Sequence, residues 1–148
     1  MKPRILLGAL LLSTALVLPA GSARAATSHS SYLAKANAVC SRISDTRQTL
    51  AKQYFPGGTD KAPTLAQLQA FYGAFAPKFK RQVEELAAIT PNKADKPTVD
   101  RFIAGSRHLV EQIAKAGKDK VYAQHLLDTD EAEFHTDDAA MEKFGLRC

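Results

Sequence analysis

Apolar residues recur along most of this chain with the spacing of helix faces. Wound at about 100° per residue, Tyr32 to Tyr54 gathers Tyr32, Ala36, Val39, Cys40, Ile43, Leu50 and Tyr54 into one stripe. A heavier stripe follows over Leu65 to Ile89, formed by Leu65, Leu68, Tyr72, Phe75, Phe79, Val83 and Leu86. Between Lys96 and Ala116 the stripe is Val99, Phe102, Ile103, Ser106, Leu109, Val110 and Ile113, with His108 opposite. A fourth, from Lys120 to Phe144, contains Leu126, Phe134, Met141 and Phe144. No stretch alternates with the period of a strand and no repeat occurs, so the pattern predicts an all-α fold: an antiparallel up-down four-helix bundle with short connections.

The breaks between stripes carry helix punctuation. Ser30 or Ser31 is placed to cap the first helix, and His29 falls in the solvated leader before it. Phe55-Pro56-Gly57-Gly58 stops that helix, and Thr64 with Gln67 makes a capping box for the second. Thr90-Pro91-Asn92 ends the second helix, and Asp95 is the expected cap of the third, with Pro97 in its first turn. Gly117 closes the third helix, Asp119 opens the fourth and Gly145 stops it.

Ahead of the first stripe, Met1 to Arg4 is basic, Ile5 to Ala20 is apolar, and Ala23 and Ala25 fit a small-residue cleavage site. This reads as a secretory signal peptide over residues 1–25, followed by a single bundle domain over 26–148; an uncleaved anchor is the alternative. The apolar run is shorter than the roughly 20 residues a bilayer span needs, and no later segment is apolar enough for one. Cleavage removes three bases and no acid, leaving 17 Lys and Arg against 15 Asp and Glu. No clustered basic footprint of a nucleic-acid binder remains, and Lys78, Lys80 and Arg81 read as solvated surface.

In an exported product the two cysteines, Cys40 and Cys148, most simply form one disulfide, free or intermolecular thiols being the alternative. Closing so long a loop is worth about 4 to 5 kcal/mol by chain entropy.

Polar residues on apolar stripes are the candidates for chemistry. Arg47 lies on the first stripe, and Asp130 and Asp137 lie on the apolar side of the fourth. If the disulfide fixes the register of antiparallel outer helices, Asp137 comes level with the turn after Arg47; the expected result is an ion pair, or an arginine holding an anionic ligand. Glu131, His135, Asp138 and Glu142 form a second stripe able to take a divalent cation weakly, with Asp128 close to it. His125 and Met141 share the fourth helix and could offer haem ligands, although the first helix presents no opposing histidine or methionine. G-x-S-x-G, H-E-x-x-H and C-x-x-C are all absent, so no catalytic residue is assigned and no cofactor is required.

Ala36-Asn37-Ala38-Val39-Cys40, Phe144-Gly145-Leu146-Arg147-Cys148 and the Leu86 to Pro91 junction resemble an uncharacterised family of small exported helical proteins from actinobacteria. That family has an ANAIC-like first helix and a GLxC-like end. The resemblance implies a disulfide-closed bundle outside the cytoplasm and carries over no catalytic residue. The family's lipid-anchored members use a cysteine that this leader lacks. The expectation is an exported, non-enzymatic bundle that binds a partner protein or small ligand; a metal- or haem-binding envelope protein is the alternative.

Overall fold

A computed structural model describes residues 27–58, 62–128 and 138–148. Those residues are helical, without strands: α1 is His29–Tyr54, α2 Leu65–Ala87, α3 Lys96–Ala116, α4 Lys120–Asp128 and α5 Asp138–Phe144. None of these helices is long and apolar enough to cross a membrane. The main helices pack antiparallel, α1 on α2 and α2 on α3, while α4 rests on α3 and α2. The fourth predicted helix appears as α4 and α5; what joins them lies outside the described residues.

The α1 stripe is buried as the spacing demands, with Tyr32, Ala36 and Cys40 at 0 % exposure. On α2 the buried aromatic is Phe71 rather than Tyr72, which is half-buried. Phe71, Phe75 and Phe79 recur every fourth residue, and their rings stack along the helix with centroids 5.7 and 5.2 Å apart. This column reaches the end of α1, where Phe55 meets Phe71 at 5.2 Å. On α3, Val99, Ile103, Val110, Ile113 and Ala116 are buried. Pro77 lies inside α2, where it leaves the Gly73 carbonyl without a helical donor; Gly73 is exposed, so water can serve it.

Several helix ends differ from expectation. The cap of α1 is Ser28, whose hydroxyl accepts from the Ser31 N–H at 3.1 Å, so His29 belongs to the helix rather than to a leader. Thr64 and Gln67 form the predicted capping box. Asp95 precedes α3 but makes no side-chain cap. Asn92 serves there instead, its carbonyl accepting from the Asp95 N–H at 2.9 Å. Gly117 has φ −62°, which any residue adopts, so glycine is not there for its backbone freedom. It is there for space, since a Cβ on Gly117 would come within 2.7 Å of both Cα and N of Gly73.

The C-terminus departs most from the expected geometry. At the end of α5 the Gly145 N–H donates to the Met141 and Glu142 carbonyls and the Leu146 N–H to Met141, each at 2.9 Å. Gly145 takes φ 101°, the left-handed turn that ends a helix in this way. A side chain there would also collide with Leu33, whose Cδ1 lies 2.7 Å from the position of a Cβ. The chain then doubles back along α1, passing Asn37 and ending at Cys148, which is disulfide-bonded to Cys40 with Cα atoms 4.4 Å apart. The disulfide therefore ties α1 to a reversed tail and sets no helix-to-helix register. The alignment that put Asp137 beside Arg47 assumed a tail continuing the helix, whereas the tail reverses at Gly145; Asp137 itself lies outside the described residues.

The two close glycines make opposite predictions. Gly117→Ala should cost about 1–3 kcal/mol, because backbone must move and the entropy gain of about 0.4–1 kcal/mol cannot offset that. Gly73→Ala meets only an ordinary contact, 3.7 Å to the Gly117 carbonyl, and should stabilise by about 0.5–1 kcal/mol through helix propensity. Urea unfolding of the two variants checks the pair.

Candidate functional site

The residues singled out by sequence do not assemble into a site among the described residues. Arg47 is exposed despite its place on the apolar stripe. A guanidinium is costly to bury alone, and a long stem can carry it past the edge of the core. Asp130 and Asp137 lie outside the described residues, as do Glu131 and His135 of the possible cation stripe. Glu142 is exposed, and no cluster of three His, Cys, Asp or Glu groups is present among the described residues. Met141 is 6 % exposed within the core, while His125 is an exposed residue of α4 whose ring lies 5.9 Å from that of Tyr122.

A polar constellation that spacing did not reveal sits at the closed end, where α1, α3 and the tail meet. His29 Nδ1 lies 2.8 Å from Asp95 Oδ2, and the same oxygen accepts from Asn92 Nδ2 at 2.5 Å. The His29 ring stands edge-on to Phe144 at 4.9 Å. Asp95 is thus turned toward α1 instead of capping its own helix, and the His29–Asp95 contact ties the start of α1 to the start of α3. Two turns along α1, Asn37 Nδ2 donates to the Gly145 carbonyl at 3.0 Å, and Asn37 Oδ1 accepts from the Arg147 N–H at 2.9 Å. A single amide satisfies both faces of the returning backbone, and Leu146 between them is 2 % exposed. Asn37, Cys40, Gly145, Leu146 and Cys148 each have a structural task in this closure, so the closed end reads as framework.

Tyr32 is the exception within it. Its hydroxyl is buried with no hydrogen-bond partner. Burial, and secondarily the negative charge of Asp95, raise its pKa above the usual tyrosine value.

The larger opening lies on the outer seam of α1 and α2, a groove of about 570 Å³ over Leu50. At one end Arg42 is spent, its Nη1 on the Ala38 carbonyl at 3.2 Å and its Nη2 on Glu85 at 2.6 Å. Gln82 Nε2 donates to Thr46 Oγ1 at 3.0 Å, leaving Gln82 Oε1 buried without a partner. The remaining polar groups of the wall, Asp45, Thr49, Gln53, Lys78 and Arg81, make no hydrogen bond or ion pair with any described residue. A second groove, about 420 Å³ beside Pro91, differs in this respect. There Lys96 pairs with Asp100 at 2.7 Å, and Arg107 holds both oxygens of Glu84 at 2.9 and 2.7 Å. The hydrogen bonds from Arg107 lower the Glu84 pKa, and those bonds raise that of Arg107 in turn.

Lys78, Lys80 and Arg81 are exposed, as the sequence implied; Lys78 and Arg81 also line one groove, which Lys80 does not. The missed signal was the pair of polar stripes flanking the seam, at 42, 45, 46, 49 and 53 on α1 and at 78, 81, 82 and 85 on α2. No family model, curated protein or solved structure matches the chain.

Replacing Tyr32 by Phe removes a buried hydroxyl without a partner, so stability at neutral pH should stay unchanged or rise by up to about 1 kcal/mol. The tyrosine's folded-state pKa exceeds its unfolded one. Its contribution is therefore complete below about pH 10 and is lost as pH rises through the folded value. The Phe variant should accordingly lose stability less steeply in alkali, although Tyr72, also raised by burial, keeps part of the slope. Urea midpoints at neutral and alkaline pH measure both effects.

Proposed function

We propose that this protein is an exported, non-catalytic helical bundle that binds a small polar ligand in the groove between α1 and α2. Uncommitted groups of both charge signs in one concave seam carry this reading: Asp45, Lys78 and Arg81 line a single groove without a partner among the described residues, whereas the charges of the groove beside Pro91 are already paired. The volume lies within the roughly 300–1,000 Å³ of small-ligand sites. Export is supported by the leader-like residues 1–25 and by the Cys40–Cys148 disulfide, a bond that persists in oxidising compartments. The likeness to exported actinobacterial bundles points the same way.

Isotope-edited NMR of the disulfide-intact protein tests the reading with a panel of amino acids, short peptides, sugars and inorganic phosphate. The expected outcome is saturable movement of the Thr46, Thr49 and Gln82 amide signals by at least one class. Movement only outside α1 and α2, or none with any class, contradicts it.

A further inference from the structure

Resting on that reading of the groove, we infer that its ligand is a short peptide with free amino and carboxyl ends. The charges left unsatisfied on the wall determine what it can recruit. Arg42 and Glu85 neutralise one another at 2.6 Å, so they close one end of the seam without recruiting anything. What is left on the wall is one carboxylate, Asp45 on α1, and two cations, Lys78 and Arg81 on α2. A ligand that answers both signs carries an ammonium group and at least one carboxylate. A plain anion would leave Asp45 opposed, and a plain cation would meet two like charges.

Spacing along the seam sets the size. The antiparallel register is fixed by two contacts, Arg42 with Glu85 and Thr46 with Gln82. Continued along the helices, it brings Lys78 level with the turn at Thr49 and Leu50. Asp45 lies about one turn back, a separation of about 7 Å at 1.5 Å per residue. Two extended residues span about 7 Å, so a dipeptide can put its amino end on Asp45 and its carboxylate on Lys78 and Arg81. Arg81 falls between these levels, where a guanidinium can take a carboxylate by two parallel hydrogen bonds. The intervening peptide group needs donors and acceptors of its own kind. The Thr49 hydroxyl, donor and acceptor in one group and uncommitted to any described residue, supplies them on α1. Leu50, 6 % exposed, floors the groove, so side chains of the ligand are not selected there by charge.

The test uses alanyl-alanine with free ends, its N-acetylated form, its N-acetylated and C-amidated form, glucose and inorganic phosphate, each titrated against the oxidised protein by NMR. Free alanyl-alanine should shift the Thr46, Thr49 and Lys78 amides saturably, with a dissociation constant of about 1 mM or tighter. Blocking both ends should weaken it at least about tenfold. In the Lys78→Gln, Arg81→Gln double variant the free dipeptide should weaken to a similar degree. Asp45→Asn should weaken the free dipeptide but leave the N-acetylated one unchanged, a pattern that a general loss of structure would not produce. Equal affinity for the doubly blocked peptide, or equal affinity for phosphate at the same amides, overturns the inference. If glucose or phosphate moves the groove and alanyl-alanine does not, the peptide is overturned and a ligand groove remains. If nothing moves it at about 20 mM, a concentration that should register even weak ligands, both fall.

Discussion

The reversal of the chain at Gly145 is the constraint on which the closed end depends. A helix that ends in a left-handed glycine sends its next residues back along the neighbouring helix, and a Cβ at that point would also displace the Leu33 side chain. The returning backbone would bury polar groups without partners unless α1 supplied them. Asn37 does so, donating to the Gly145 carbonyl and accepting from the Arg147 N–H. Bonds of this kind are worth about 1 kcal/mol each, but a buried group left without its partner costs about 1–3 kcal/mol. Seating a leucine-sized side chain such as Leu146 adds about 1.5–3 kcal/mol. The non-covalent docking of the tail is therefore of the same order as the disulfide's chain-entropy contribution, and the two act together: the bond restricts the unfolded chain, while the amide and the leucine hold the folded one.

Much of the framework was legible because helix burial follows spacing. The α1 stripe matches the buried face residue by residue except at its ends, and α3 does nearly as well. Failures came where one position served two purposes. Phe71 and Tyr72 are adjacent candidates, and the wheel preferred Tyr72; the i, i+4 stacking of Phe71 with Phe75 decides it otherwise. Gly117 looked like a turn glycine and is instead a close-approach glycine, a distinction only the neighbouring helix can make. Asp95 looked like a cap, but His29 and Asn92 compete for its carboxylate and win. Arg47 shares its stripe with Ile43 and Leu50, but a helical wheel records where Cβ points, not where a long charged side chain ends.

The candidate groove was less legible than the core because its signal is not periodic apolarity but unspent polarity. Lys78 and Arg81 read as solvated in isolation, and nothing singled out Asp45. Only pairing the flanks of α1 and α2, a tertiary fact, brings them to one seam, and only counting their partners distinguishes that seam from the groove near Pro91, whose charges are already matched. Framework and site thus separate spatially. The closed end spends its polar groups on structure, and the outer seam, beyond its Arg42–Glu85 and Thr46–Gln82 contacts, keeps Asp45, Lys78 and Arg81 available.

Hydrogen exchange at the Arg147 backbone amide tests most directly whether the reversed tail is part of the folded core. That N–H donates to Asn37 Oδ1 beside the buried Leu146, so in the oxidised protein it should exchange at least about a thousandfold more slowly than in an unstructured chain. Exchange at the unstructured rate with the disulfide intact would mean that the tail is merely tethered, and the closure described above would not exist.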